Sequence, residues 1–146
     1  MSLFRDVGEF HRKFDLPVAS EAALLSGVDP NIPEEKVFDY RLNFLEEEMT
    51  ELRRARAEGD LAEIADALAD LVWVALGTAH YCGIPFDAVW AEVKRANMDK
   101  RKWREGDPVK PRARGGVSLA SVEVIKPEGW RPPDVAGILL TWGYGS

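Results

Sequence analysis

The chain has 146 residues, 46% of them hydrophobic and 30% charged, with a formal net charge of −6. That is the size of a single domain with one modest core, and the negative balance disfavours non-specific binding to nucleic acid polymers. Its one cysteine, Cys82, excludes an internal disulfide, and no Cys/His set has zinc spacing, so a reducing compartment fits best.

The start of the chain carries an early acid and lacks the apolar centre of a signal peptide. No apolar run reaches bilayer length, so a cytoplasmic protein that does not engage membranes is expected. Leu3, Val7, Phe10 and Phe14 recur at helical spacing and predict a short amphipathic helix ending before Pro17. Residues 17 to 33, punctuated by three prolines, read as a loop. Pro33 followed by Glu34 and Glu35 opens a second helix, expected over about 34–58. Gly59 and Asp60 supply a turn and an N-cap for a third helix over about 61–82. Pro85 opens a fourth, with Phe86, Val89, Trp90, Val93 and Asn97 as its buried stripe and an end near Arg101. Beyond Trp103 the chain reads as an irregular tail: a basic loop around Lys110, Arg112 and Arg114, a short strand over Ser121 to Ile125, and a last helix from Asp134 to about Leu140. The expected fold class is all-α, a helical bundle built on an antiparallel helix hairpin plus a fourth helix, forming one domain over 1–146.

Chemistry concentrates on the hairpin. On a helical wheel Phe38, Leu42, Leu45, Met49 and Leu52 share one side of the second helix, which reads as core, while Glu47, Glu48 and Glu51 lie opposite with Val37, Tyr40 and Phe44. The third helix repeats the pattern, with Leu61, Ile64 and Leu68 on one side and Glu63, Asp66 and Asp70 on the other, running into Trp73, Val74 and Gly77. Counted from Gly59, Glu47 to Glu51 and Asp66 to Asp70 are level in an antiparallel hairpin. An isolated Glu-rich helix face is most often a solvated surface. A second acidic patch at matching height changes the reading, because like charges one turn apart repel unless a cation is shared. Oxygen ligands at this density suit Mg²⁺, with Mn²⁺ as a substitute.

The strings from Phe44 to Glu51 (FLEEEMTE), Ile64 to Val74 (IADALADLVWV) and Ala91 to Lys100 (AEVKRANMDK) resemble the MazG-like all-α nucleoside triphosphate pyrophosphatases, to which dimeric dUTPases and phosphoribosyl-ATP pyrophosphohydrolases are related. Lys126 to Asp134 (KPEGWRPPD) is similar to the tail of compact bacterial and phage members. The resemblance implies magnesium coordination by an E-E-x-x-E motif and an E-x-x-D motif, which fall on Glu47, Glu48, Glu51 and Asp70. The sequence departs at Ala67, where the second motif has Glu; Asp66, one turn before Asp70, is the expected substitute, with Glu63 ranked below it. It further implies hydrolysis of a nucleoside triphosphate to monophosphate and pyrophosphate, on a deoxynucleotide such as dGTP or dUTP, with Glu47 or Glu48 orienting the attacking water. Asn97, Lys100 and Arg101 are the expected phosphate contacts, and a homodimer or homotetramer the expected assembly. The alternatives are a phosphoribosyl-ATP pyrophosphohydrolase and a non-catalytic helical cation-binding module. His11 reads as a buried structural residue and His80 as a surface one. Neither has the Glu-x-x-His spacing of a di-iron bundle.

Overall fold

The computed structural model describes residues 1–20, 27–109, 116 and 123–145. The described residues form five helices and a two-stranded ribbon: α1 (Leu3–Lys13), α2 (Glu35–Glu58), α3 (Leu61–Tyr81), α4 (Phe86–Met98), β1 (Arg101–Lys102), β2 (Val124–Ile125) and α5 (Val135–Thr141). The fold is all-α, as the periodicity predicts. The chain divides into two compact units, Met1–Val89 with Ala136–Ser146, and Trp90–Val135.

In the first unit, α2 and α3 form the hairpin. The turn follows from two residues. Gly59 takes a left-handed conformation with φ of 68°, which costs a glycine nothing, and the amides of Gly59 and Asp60 close the end of α2 on the carbonyls of Arg56 and Ala55. Asp60 then accepts from the amides of Ala62 and Glu63 and starts α3.

The inward stripe of the hairpin differs from the expected one. On α2 the buried or half-buried positions are Val37, Arg41, Phe44, Glu48, Leu52 and Ala55, with Leu45 and Phe38 at the edge. On α3 they include Ile64, Ala67, Leu71, Val74 and Thr78. Leu42, Met49, Leu61 and Leu68, which the wheel assigned to the core face, are 41% to 77% exposed. Both sides of each helix carry apolar residues, so hydrophobic periodicity does not choose between them. The side that turns inward is the one bearing small residues (Ala55, Ala67) and the buried guanidinium of Arg41.

The first helix packs on the C-terminal half of α3. Phe4, Val7, Ala19, Leu76 and Ala79 make the buried apolar cluster, flanked by Ile84 and Phe86. His11 is buried, as expected, and its Nδ1 lies 2.6 Å from the Pro17 carbonyl. His80 is not the surface residue the sequence suggested: it is 3% exposed, its ring stacks on Phe4 with centroids 3.8 Å apart, its Nδ1 accepts from the Ala19 amide and its Nε2 donates to the Phe4 carbonyl. It ties α1 and the following segment to α3.

The second unit begins inside α4. That helix ends at Met98, three residues short of expectation, and Arg101 and Lys102 pair antiparallel with Ile125 and Val124. The strand predicted over Ser121 to Ile125 is therefore present at its C-terminal end; its first two residues, like the basic loop with Lys110, Arg112 and Arg114, lie outside the described residues. Asn97 and Trp90, assigned to the buried stripe of α4, are exposed, and Ala96 is the residue that α4 buries. Among the described residues no helix is long and apolar enough to cross a membrane.

Candidate active site

Glu48 lies at the centre of the inward stripe of α2, seven residues from Arg41 and seven from Ala55, so an acid occupies a place where apolar packing is the rule. Its carboxyl has a raised pKa. Partial burial is the largest cause, followed by the negative charges of Asp70, Glu51, Glu47 and Asp66 in that order. The antiparallel register thus brings the acids of α2 and α3 together around Glu48, as the residue count from Gly59 predicts. Glu63 is not among the four carboxylates that act on Glu48 most strongly.

The remaining acids reach solvent. Asn43, Glu46, Glu47, Thr50 and Glu51 line an open depression on α2, and Glu51 is bound to Arg54 on the same helix at 2.9 Å. Among the described residues no three His, Cys, Asp or Glu side chains stand in ligating positions around one point. The carboxylates share a field without converging on a centre. Ala67, at the position where a Glu is expected, is buried. Its methyl group sits on the α2-facing stripe of α3, and a longer acid there would have to displace that packing.

Two turns from Glu48 on the same stripe is a residue the sequence reading missed. Arg41 is 5% exposed, and among the described residues no carboxylate pairs with it. Its Nη2 donates to the Val74 carbonyl at 3.0 Å and its Nε to Thr78 Oγ1 at 3.2 Å, and its guanidinium lies over the rings of Phe44 and Tyr81, 5.2 and 4.8 Å from their centroids. Burial lowers its pKa, with the tyrosines and Cys82 opposing. Gly77 makes the room: a Cβ there would lie 2.7 Å from Arg41 Nη2 and 3.1 Å from His11 Nε2. An Arg in the middle of an apolar helix stripe, three residues before Phe44 and level with a Gly, was the available signal.

The expected phosphate contacts lie in the second unit. Asn97 and Lys100 are together at the end of α4, with Lys100 Nζ donating to Asn97 Oδ1 at 2.8 Å. Arg101 is engaged elsewhere. Its guanidinium grips both oxygens of Asp107 at 2.8 and 2.9 Å, a bidentate pair that, with the Arg104 amide, holds Asp107 at a pKa of about 2.

The fold is thus an all-α one built on a helical hairpin that groups one inward-turned acid with four others. The chain matches the phosphoribosyl-ATP pyrophosphohydrolase family over residues 7–97, well over half its length. It belongs to that family, and with it to the MazG-like all-α nucleoside triphosphate pyrophosphatase superfamily, whose members are pyrophosphohydrolases. No curated protein matches the chain.

Proposed function

We propose that the chain hydrolyses a nucleoside triphosphate, with a deoxynucleotide such as dGTP or dUTP as the favoured class, to the monophosphate and pyrophosphate. The observation that carries this reading is the inward-facing Glu48, its proton affinity raised by partial burial and then by the charges of Asp70, Glu51, Glu47 and Asp66. An all-oxygen set of like charges is stabilised by a hard divalent cation, so the donor chemistry of Glu47, Glu48, Glu51, Asp66 and Asp70 suits Mg²⁺ or Mn²⁺ once their side chains turn toward a common point. When bound, such an ion supplies charge to grip the polyphosphate and a more acidic water.

The chain's own groups do the rest. The carboxylate of Glu47 or Glu48 that is freest accepts a proton from the water aimed at the α-phosphorus. Asn97 and Lys100 donate to phosphate oxygens.

The exposed apolar residues on the outer side of the hairpin, Leu42, Met49, Leu61, Leu68 and Val72, are the faces expected to meet a second copy in a homodimer or homotetramer. Sedimentation of the native chain and of Leu68→Glu tests this, with a monomeric native chain overturning it. Phosphoribosyl-ATP is the second substrate reading, favoured by the family match itself. The deciding experiment is pyrophosphate release from dGTP, dUTP, the other deoxynucleotides and phosphoribosyl-ATP with Mg²⁺ or Mn²⁺. Release from one deoxynucleotide well above the rest supports the first reading; release from phosphoribosyl-ATP alone selects the second.

A further inference from the structure

The segment from Lys126 to Asp134 is strapped along α4. Trp130 Nε1 donates to the Ala96 carbonyl at 2.7 Å, Arg95 donates to the Pro132 carbonyl at 3.2 Å while bound to Glu92 at 2.8 Å, and the Asp134 amide donates to Glu92 at 3.1 Å. Glu92 is held at a pKa of about 2, chiefly by Arg95 and then by the Asp134 amide. The strap is therefore fixed to α4 at Trp130, Pro132 and Asp134.

Its fixed point creates a cation cluster. The indole of Trp130 carries two ammonium groups over its ring, Lys126 Nζ at 4.7 Å and Lys100 Nζ at 5.5 Å from the centroid. Lys100 Nζ also donates to Asn97 Oδ1. Among the described residues neither ammonium has a carboxylate partner, although the chain carries 25 acids against 19 Lys and Arg. Two like charges drawn to one ring repel each other, and an anion with several oxygens removes that repulsion by bridging them.

We propose that Lys126 is a second phosphate-binding cation beside Lys100, and that Trp130 is the positioning residue that holds both. The ligand class is a polyphosphate chain, and as applied to turnover the inference rests on the reading that Asn97 and Lys100 contact substrate phosphates. The sequence of the strap follows: Gly129, with φ of 77°, and the Trp130 amide bound to the Pro127 carbonyl make the turn that brings Lys126 back over the ring of Trp130.

The test is calorimetric titration of the whole chain with inorganic tripolyphosphate, without divalent metal, beside steady-state kinetics on its nucleotide. Lys126→Met should weaken tripolyphosphate binding roughly tenfold and raise KM by a similar factor with little change in kcat, and Lys126→Arg should restore most of both. Trp130→Phe, which keeps a ring under the lysines, should bind better than Trp130→Ala, and unchanged far-UV circular dichroism shows that each variant folds. Lys36→Met, at an exposed lysine 3.8 Å from Glu34, should leave binding unchanged. Native binding that is indifferent to Lys126→Met, or no native binding at all, overturns the inference. If tripolyphosphate binds through Lys126 but no nucleotide is hydrolysed, the proposed reaction fails while the anion site stands. If turnover is normal and Lys126→Met changes neither KM nor binding, the inference fails while the reaction stands.

Discussion

Replacing Gly77 by Ala inserts one methyl group into the tightest part of the hairpin, and its cost can be worked from the contacts. The new Cβ lies 2.7 Å from Arg41 Nη2 and 3.1 Å from His11 Nε2. The end of an arginine usually swings aside, but this one is buried and bound to Val74 and Thr78 between Phe44 and Tyr81. Overpacking costs about 1–3 kcal/mol, and weakening the hydrogen bonds of a charged donor about 1.5–3 kcal/mol. Alanine returns roughly 1 kcal/mol of helix propensity. The net is a loss of about 3 kcal/mol, or roughly 9 °C in melting temperature for a chain of this length. Thermal and urea unfolding followed by circular dichroism measure it. In an Arg41→Met background the methyl group meets a flexible, uncharged neighbour and only the 3.1 Å contact with His11 remains, so the cost should fall to about 1 kcal/mol or less. A Gly77→Ala protein as stable as the native one, or an equal loss in both backgrounds, would refute the claim that Gly77 exists to admit the guanidinium.

Three further outcomes follow from the site and its surroundings. Glu48→Gln should abolish turnover yet leave the metal-free protein as stable or more stable by a few tenths of a kcal/mol, because one of several repelling charges is removed; a melting temperature several degrees lower would contradict this. Asp66→Asn should shift the magnesium dependence of turnover more than Glu63→Gln, since Asp66 is among the acids acting on Glu48 most strongly; the reverse order would place the working ligand one turn nearer Gly59. His11 has its pKa lowered by burial, and Arg41 adds to this against the Pro17 hydrogen bond, so the folded state binds fewer protons than the unfolded one. Its contribution is fully present above the unfolded value near 6.5 and is lost as pH falls toward the lower folded value. Urea midpoints should drop between pH 7 and 5, and His11→Asn should flatten that slope, whereas Glu92 and Asp107, held at about 2, lose their contributions only below the ordinary carboxylate range.

The parts of the fold that rest on local chemistry were readable from the residues. Gly59 and Asp60 fix the hairpin turn, apolar spacing gives four of the helices to within three residues, and counting from Gly59 brings Glu48 level with Asp66 and Asp70. The direction in which each hairpin helix faces was not readable. Leu42, Met49, Leu61, Leu68 and Val72 form as good an apolar stripe as the one that turns inward, and a wheel weighs hydrophobicity without regard to what packs closely. The inward side is selected by Ala55, Ala67 and the fit of Arg41 against Gly77, all of which are pairwise properties of two helices. His80 was misplaced for the same reason: its partners are backbone groups at Phe4 and Ala19, 76 and 61 residues away, and no local pattern announces them. Arg101 and Asp107 meet only because the chain leaves α4 at Met98 and turns into β1.

In the proposed reaction the carboxylates around Glu48 drive hydrolysis between the α- and β-phosphates. The most direct test is product analysis with the native chain and Glu48→Gln, using a deoxynucleoside triphosphate and millimolar Mg²⁺. The predicted result is equimolar monophosphate and pyrophosphate from the native chain, lost on chelation of the metal and lost in Glu48→Gln with the helical fold intact. Diphosphate with orthophosphate as the main products, or near-native turnover by Glu48→Gln, would contradict it.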